Sequence, residues 1–402
     1  MRRAALVLLL TLNLVGGLLR YSNLDPFGSG RLWDLTGVVH VVAACNPESF
    51  LSDTPSPACR SLPPYLPLAF PLFLGIAALA PSSVEIAWLL LMGGALLAVF
   101  AKEARAWARS VDSASGAVFV LVVVSLVAFK GTSLGMLAGQ PSLLVTVLLS
   151  AFASLESRAG PAAAGLTTKH VAAATCLALA ATKPNIALPF FVYLLLRRDF
   201  TLLGLAAAMT IVVQFLASFA WLGPAGSLHL LAQGAEAVAD HPRNVAEIMG
   251  ASGRVDLEPL LAVFGLGDVL RRALLAALGL GATAGLARSA ARLDPRVLLF
   301  EVNVVFVALL YHRDYDLVLL VLLAQPLLRE HRARFGLLAC LAALPAALPL
   351  QWAHTFGMKT LPSFAFAWDL LGCSMVLGLI GTGLWVLAAA NERQRTGATT
   401  GQ

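Results

Sequence analysis

The sequence predicts an all-α polytopic membrane protein, with about twelve transmembrane helices and a long first extracytoplasmic loop, and three observations predict it. Only 12% of the 402 residues are charged while 59% are hydrophobic, whereas a soluble domain carries about 25% charged residues. Mean hydropathy is +0.82, and the apolar runs recur along the whole length, so residues 1–402 read as one integral membrane domain. The basic residues cluster at the ends of those runs, as the positive-inside rule requires. The net charge of +6 is therefore a topological signal. The bilayer is the expected partner, and nucleic acid is not.

The first run, 4–19, follows Met1-Arg2-Arg3 and leads into Arg20-Tyr21-Ser22-Asn23. No small-residue cleavage site follows it, so it reads as a retained first span rather than a signal peptide. The segment from Pro63 to Pro71 holds four prolines, each of which removes a backbone donor that a lipid-exposed helix needs. Run 64–80 is thus expected to be a juxtamembrane or re-entrant segment inside an extracytoplasmic loop, 20–83. Parity requires the same. Arg2/Arg3 and Lys102 should share the cytoplasmic side, yet three apolar runs lie between them, so one cannot cross. Spans are then expected at 84–101, 116–129, 141–155, 171–182, 185–197, 201–222, 271–288, 294–311, 317–328, 335–350 and 373–390. A cytoplasmic tail, 391–402, closes the chain.

This topology sorts the polar residues by side. Arg105, Arg158, Arg197, Arg288, Arg329 and Arg393 fall with their neighbours on the cytoplasmic face. Asp34, the turn Gly139-Gln140-Pro141, Lys183-Pro184, loop 223–270 and the tract Tyr311-His312-Arg313-Asp314-Tyr315-Asp316 fall outside. An ionisable group at the bilayer centre costs about 2.5–3.5 kcal/mol on insertion scales. The short linkers holding Lys183 and the 311–316 tract are therefore expected at the interface. Arg31 to His40, around Asp34, forms an amphipathic stretch suited to lying on the membrane surface.

Cys45 and Cys59 share the first loop. They read either as a disulfide of an oxidising compartment or as two unrelated thiols. No paired His, CxxC or HExxH spacing marks a metal site, and no P-loop or glycine-rich nucleotide fingerprint is present. Neither a metal nor a cofactor is expected.

The order of these pieces is familiar. A first span, an outer loop with Asp34 on an amphipathic stretch, Asn46-Pro47, and Leu62-Pro63-Pro64-Tyr65 before an apolar run resemble the opening module of GT-C glycosyltransferases. More narrowly they resemble the polyprenol-phosphate-mannose-dependent family 87. Gly139-Gln140-Pro141-Ser142-Leu143-Leu144 is similar to that family's Gly-Gln-x-Asn-Leu-Leu. Ala181-Thr182-Lys183-Pro184-Asn185, followed by Arg197-Arg198, is similar to its Lys-x-x-Pro helix ending in Arg-Arg. The sequence departs from the pattern where Asn46-Pro47 lacks a following Tyr, where Ser142 replaces Asn, and where His312 stands without a second His. The resemblance implies a GT-C-like fold in the plasma (inner) membrane. It also implies a polyprenyl-phosphate sugar as donor, a hexose such as mannose as the transferred group, and a glycolipid or glycan as acceptor, with the active site on the extracytoplasmic side.

The residues suit that chemistry. Sugar transfer needs a base for the acceptor hydroxyl, which a carboxylate within hydrogen-bond reach supplies, and Asp34 is the candidate. The departing phosphate needs cations or N–H donors. Lys183, Arg313 and Arg254 are the candidates, with Arg271/Arg272 behind them. Gln140, His312, Asp314 and Asp316 are the candidate substrate contacts. Each has a plainer reading beside it: Asp34 as a helix cap with Asp25 as rival base, Lys183 as a snorkelling anchor, Gln140 as a span terminator, and His312 to Asp316 as a self-satisfied ion-pair network. Secondary transport or flipping of lipid-linked sugars is the alternative function. It calls for charges near the midplane, whereas these residues keep to one face.

The parity of the apolar runs makes a prediction. Single cysteines introduced at Ser52 and Ser82 should both react with an impermeant thiol reagent from the extracytoplasmic side. Labelling of Ser82→Cys from the cytoplasm alone would mean that 64–80 crosses the bilayer.

Overall fold

The computed structural model describes residues 81–109, 139–160, 165–220, 265–310 and 316–330, with isolated positions between 123 and 136 and between 223 and 261. These residues are helical, with no strand among them. In chain order the helices are α1 (Pro81–Arg109), α2 (Ser142–Ala159), α3 (Thr168–Ala180) and α4 (Pro184–Leu196). They continue with α5 (Phe200–Ala220), α6 (Asp268–Ser289), α7 (Pro295–Leu309) and α8 (Leu317–Glu330).

Four of them, α1 from Ile86 onward, α2, α5 and α6, are long and apolar enough to cross a membrane, while α4 and most of α8 are shorter apolar helices. The expected spans between 84 and 101 and between 141 and 328 each coincide with one helix, their ends displaced by a few residues. The largest displacement is in α1, which runs on through Lys102 to Arg109. The expected segments 4–19, 64–80, 335–350 and 373–390, most of 116–129, the tail 391–402, and the cysteines Cys45 and Cys59 lie outside the described residues.

The helix boundaries follow from local backbone chemistry. Before α2, Gly139 donates to Met136 O (3.3 Å) and Gln140 to Gly135 O (2.9 Å). These are the paired bonds of a Schellman stop, with Gly139 at φ 72°, a conformation glycine adopts without a Cβ clash. Pro141 then begins the next helix at once. The same stop recurs between α4 and α5. Arg198 donates to Leu195 O (3.0 Å) and Asp199 to Leu194 O (3.1 Å), but here the left-handed residue is Arg198, at φ 58°. Asp199 then accepts from Leu202 N (3.2 Å) and caps α5. Asp294 does the same for α7, accepting from Arg296 N at 2.7 Å ahead of Pro295.

In the packed bundle α2 lies against α1, α3, α4 and α8, while α7 lies between α4, α6 and α8. Every residue of α7 from Val297 to Val304 is buried, the mark of a helix enclosed on all sides. By contrast α6 exposes Val269, Leu278 and Leu280, as a lipid-facing helix does. Phe152 of α2 meets Phe190 of α4 edge to face, with ring centroids 5.5 Å apart.

One feature departs from the expectation that ionisable groups keep to the ends of spans. Glu301 sits midway along α7, 2% exposed, and its Oε1 has no hydrogen-bond partner.

The ends of α2 and α4 are tied by an ion pair. Arg197, at the end of α4, bonds to Glu156 near the end of α2 and to the Tyr193 hydroxyl (2.9 Å), with its guanidinium over the Tyr193 ring. Removing one partner of a buried pair strands the other charge. Arg197→Met should destabilise the detergent-solubilised protein toward the lower end of roughly 3–5 kcal/mol, because Arg197 retains some exposure. The double variant Glu156→Leu/Arg197→Met should recover most of that loss. Thermal unfolding checks both, and equal destabilisation of single and double variants would contradict this account.

Candidate functional site

The residues singled out from sequence divide by where they fall. Asp34, Arg254, His312, Arg313 and Asp314 lie outside the described residues. Gln140, Lys183 and Asp316 lie within them, at the same end of the bundle.

Lys183 is the hinge residue between α3 and α4. Its amide donates to Ala180 O (3.1 Å), closing α3, and its carbonyl accepts from Ile186 and Ala187, opening α4. Pro184 occupies the first position of α4, where the missing N–H costs nothing and the fixed φ suits the helix. Only three residues, Ala181 to Lys183, therefore separate the end of α3 from the start of α4, which leaves the lysine side chain at the bundle end.

There the Nζ of Lys183 lies 2.9 Å from Asp316 Oδ1 and bonds to the hydroxyl of Ser142. Asp316 is 2% exposed and the Lys183 side chain 13%. The anchor reading of Lys183 calls for an ammonium that reaches water, and the ammonium instead turns inward onto two other helices. Asp316 pairs with a residue 133 positions earlier, while His312, Arg313 and Asp314, the other members of the expected 312–316 network, lie outside the described residues.

The three residues share a structural address. Ser142 is the first residue of α2, Lys183 the N-cap of α4, and Asp316 the residue immediately before α8. Three helix N-termini therefore converge on one point. Each presents the positive end of its helix dipole, roughly half an elementary charge. Neither α2 nor α4 has a side-chain cap at this end. Together with the Lys183 ammonium they make a locus of positive potential, and the carboxylate of Asp316 is the resident counter-charge. Such a convergence is chemically suited to an anion, above all a phosphate, whose oxygens accept from helix amides and ammonium together.

Gln140 lies two residues before Ser142 and is 4% exposed. Its backbone makes the helix stop described above, so the reading of Gln140 as a span terminator holds for its main chain. Its side-chain Oε1 is buried without a partner, as is Oγ1 of Thr146, one turn below Ser142. Of the remaining basic candidates, Arg271 is engaged by its own helix start, bonding to Leu266 O at 3.0 Å and to Asp268, and Arg272 is exposed. No group of His, Cys, Asp and Glu that could hold a metal occurs among the described residues.

Ser142 was not among the candidates. The signal was present, because it stands where the resembled motif carries Asn, and a hydroxyl keeps the oxygen acceptor that a lysine needs.

Comparison with known proteins gives one family. Glycosyltransferase family 87 matches residues 64–312, more than half of the chain. No curated protein and no solved structure matches.

Proposed function

The chain belongs to glycosyltransferase family 87 and is a membrane glycosyltransferase, and from that premise we propose that it moves a hexose, mannose in the first instance, from a polyprenyl-phosphate donor to a glycolipid or glycan acceptor at the extracytoplasmic face of the plasma membrane. The observation that carries this reading is the convergence of the starts of α2, α4 and α8 on Lys183. A polyprenyl-phosphate sugar holds its tail in lipid and its phosphate at the interface, and a cation ringed by helix N-termini at a bundle end suits that phosphate.

In this mechanism Asp34 accepts the proton of the acceptor hydroxyl as that oxygen attacks the anomeric carbon. The bond between that carbon and the phosphate oxygen breaks, and the second negative charge develops on the departing polyprenyl phosphate. Lys183 stabilises that charge, with Arg313 and Arg254 as further cations. Such groups act most strongly where they are held in place before charge develops. Gln140, His312, Asp314 and Asp316 are the proposed substrate contacts. The buried Oε1 of Gln140 supports that role, because an acceptor without a protein partner suits a sugar hydroxyl.

Glu301 is the observation on the side of the second reading, movement of a lipid-linked sugar across the bilayer, because a carboxylate midway along a membrane helix is characteristic of transport pathways. Purified protein in nanodiscs separates the two, since transfer of labelled mannose from donor to acceptor requires no gradient.

Two substitutions test the roles. Asp34→Asn keeps the shape but loses the base, and turnover should fall by about 10²–10⁴-fold with donor affinity retained. Lys183→Ala should weaken the donor about ten- to a hundredfold, as loss of a charge-assisted bond implies, with little effect on acceptor affinity. Near-normal turnover in Asp34→Asn would remove it as the base. Unchanged donor affinity in Lys183→Ala would remove the phosphate from this locus.

A further inference from the structure

We infer that Asp316 and Ser142 are positioning residues for Lys183, holding its ammonium in place at the convergence of α2, α4 and α8. The inference rests on the proposed role of Lys183 toward the donor phosphate and goes beyond it, because it makes Asp316 a partner of the lysine instead of a sugar contact and gives Ser142 a function.

A lysine ammonium is a point charge on a flexible four-carbon stem. Exposed, such a group samples many positions, and Lys183 is held in one. Its side chain is only 13% exposed, and Asp316, itself 2% exposed, stands 2.9 Å away. Ser142 supplies a second acceptor from a different direction. Both acceptors sit on helix starts, and α2 packs against both α4 and α8. The position of Nζ is thereby set by how three helices pack and not by the torsions of the lysine.

Stability alone is a poor explanation for this arrangement. A buried ion pair adds little net stability over well-packed apolar residues, because desolvation offsets the attraction. The Glu156–Arg197 pair at the other end of α2 and α4 lies where a topological anchor is expected. The Lys183–Asp316 pair draws its acid and its base from helix starts that already concentrate positive potential. A carboxylate there leaves the locus positive but satisfied while no anionic ligand is present. A phosphodiester carries one negative charge, and it can share the ammonium with Asp316 without displacing it.

The test is a double-mutant cycle read by donor affinity. Full-length protein in nanodiscs binds a tritiated short-chain polyprenyl-phosphate mannose, and both affinity and the number of sites are measured. In the wild-type background Asp316→Asn should weaken binding about tenfold and Ser142→Ala about three- to fivefold, in keeping with loss of a charged and of a neutral acceptor for the ammonium. Asp316→Glu should recover part of the affinity. In a Lys183→Met background neither substitution should change affinity further, because a positioning residue has nothing left to position. Equal losses in both backgrounds would overturn the inference and return Asp316 to direct substrate contact. Fewer sites of unchanged affinity would also overturn it, assigning the pair to folding. If Asp316→Asn yields no folded protein, the Ser142→Ala arm decides by the same criteria. Unchanged affinity in Lys183→Met alone would instead overturn the phosphate reading itself, which separates failure of that reading from failure of the inference.

Discussion

The buried contact between Lys183 and Asp316 is the constraint around which the rest of the described structure is arranged. Two opposite charges removed from water are tolerated when their geometry is fixed and their remaining hydrogen-bonding capacity is met. Meeting that condition requires the starts of α2, α4 and α8 to arrive at one place, which fixes the relative height of three helices. The Lys-Pro step between α3 and α4 and the Gly139 stop before α2 are the local devices that bring two of those starts to the same end of the bundle.

The opposite end is built on a different rule. There Arg197 pairs with Glu156, Trp107 of α1 donates to Gln325 of α8 at 2.7 Å, and His170 of α3 reaches the Gly160 carbonyl at 3.0 Å. These contacts tie helix ends together and gather basic residues where the positive-inside rule places them. The bundle is thus asymmetric along its axis. One end collects helix N-termini around a lysine, and the other collects basic side chains and interhelical ties.

Much of this was legible in the sequence, and the reasons differ by residue. The apolar runs between 141 and 328 gave the helices because lipid-facing and bundle-facing positions are alike hydrophobic, so run length alone marks them. Lys183 was legible because a charge beside proline between two such runs has only a helix end to occupy. Its partner was not. Asp316 neighbours three other polar residues in sequence, and nothing in a linear chain distinguishes pairing within that tract from pairing across 133 positions. Ser142 was hidden for another reason, since a serine at a helix start is read by default as a cap. Glu301 was absorbed into an apolar run because hydropathy averages over its neighbours, whereas its surroundings in α7 depend on three-dimensional packing.

The central claim is that the donor phosphate binds at the convergence of the three helix starts. A structure of the protein in lipid nanodiscs with a polyprenyl-phosphate mannose bound tests it most directly. The account predicts a phosphate oxygen within hydrogen-bond distance of Lys183 Nζ, against the first turns of α2 and α4, with Asp316 still beside the lysine. A phosphate seated elsewhere, with the Lys183–Asp316–Ser142 contacts unchanged and no ligand atom near them, would contradict it.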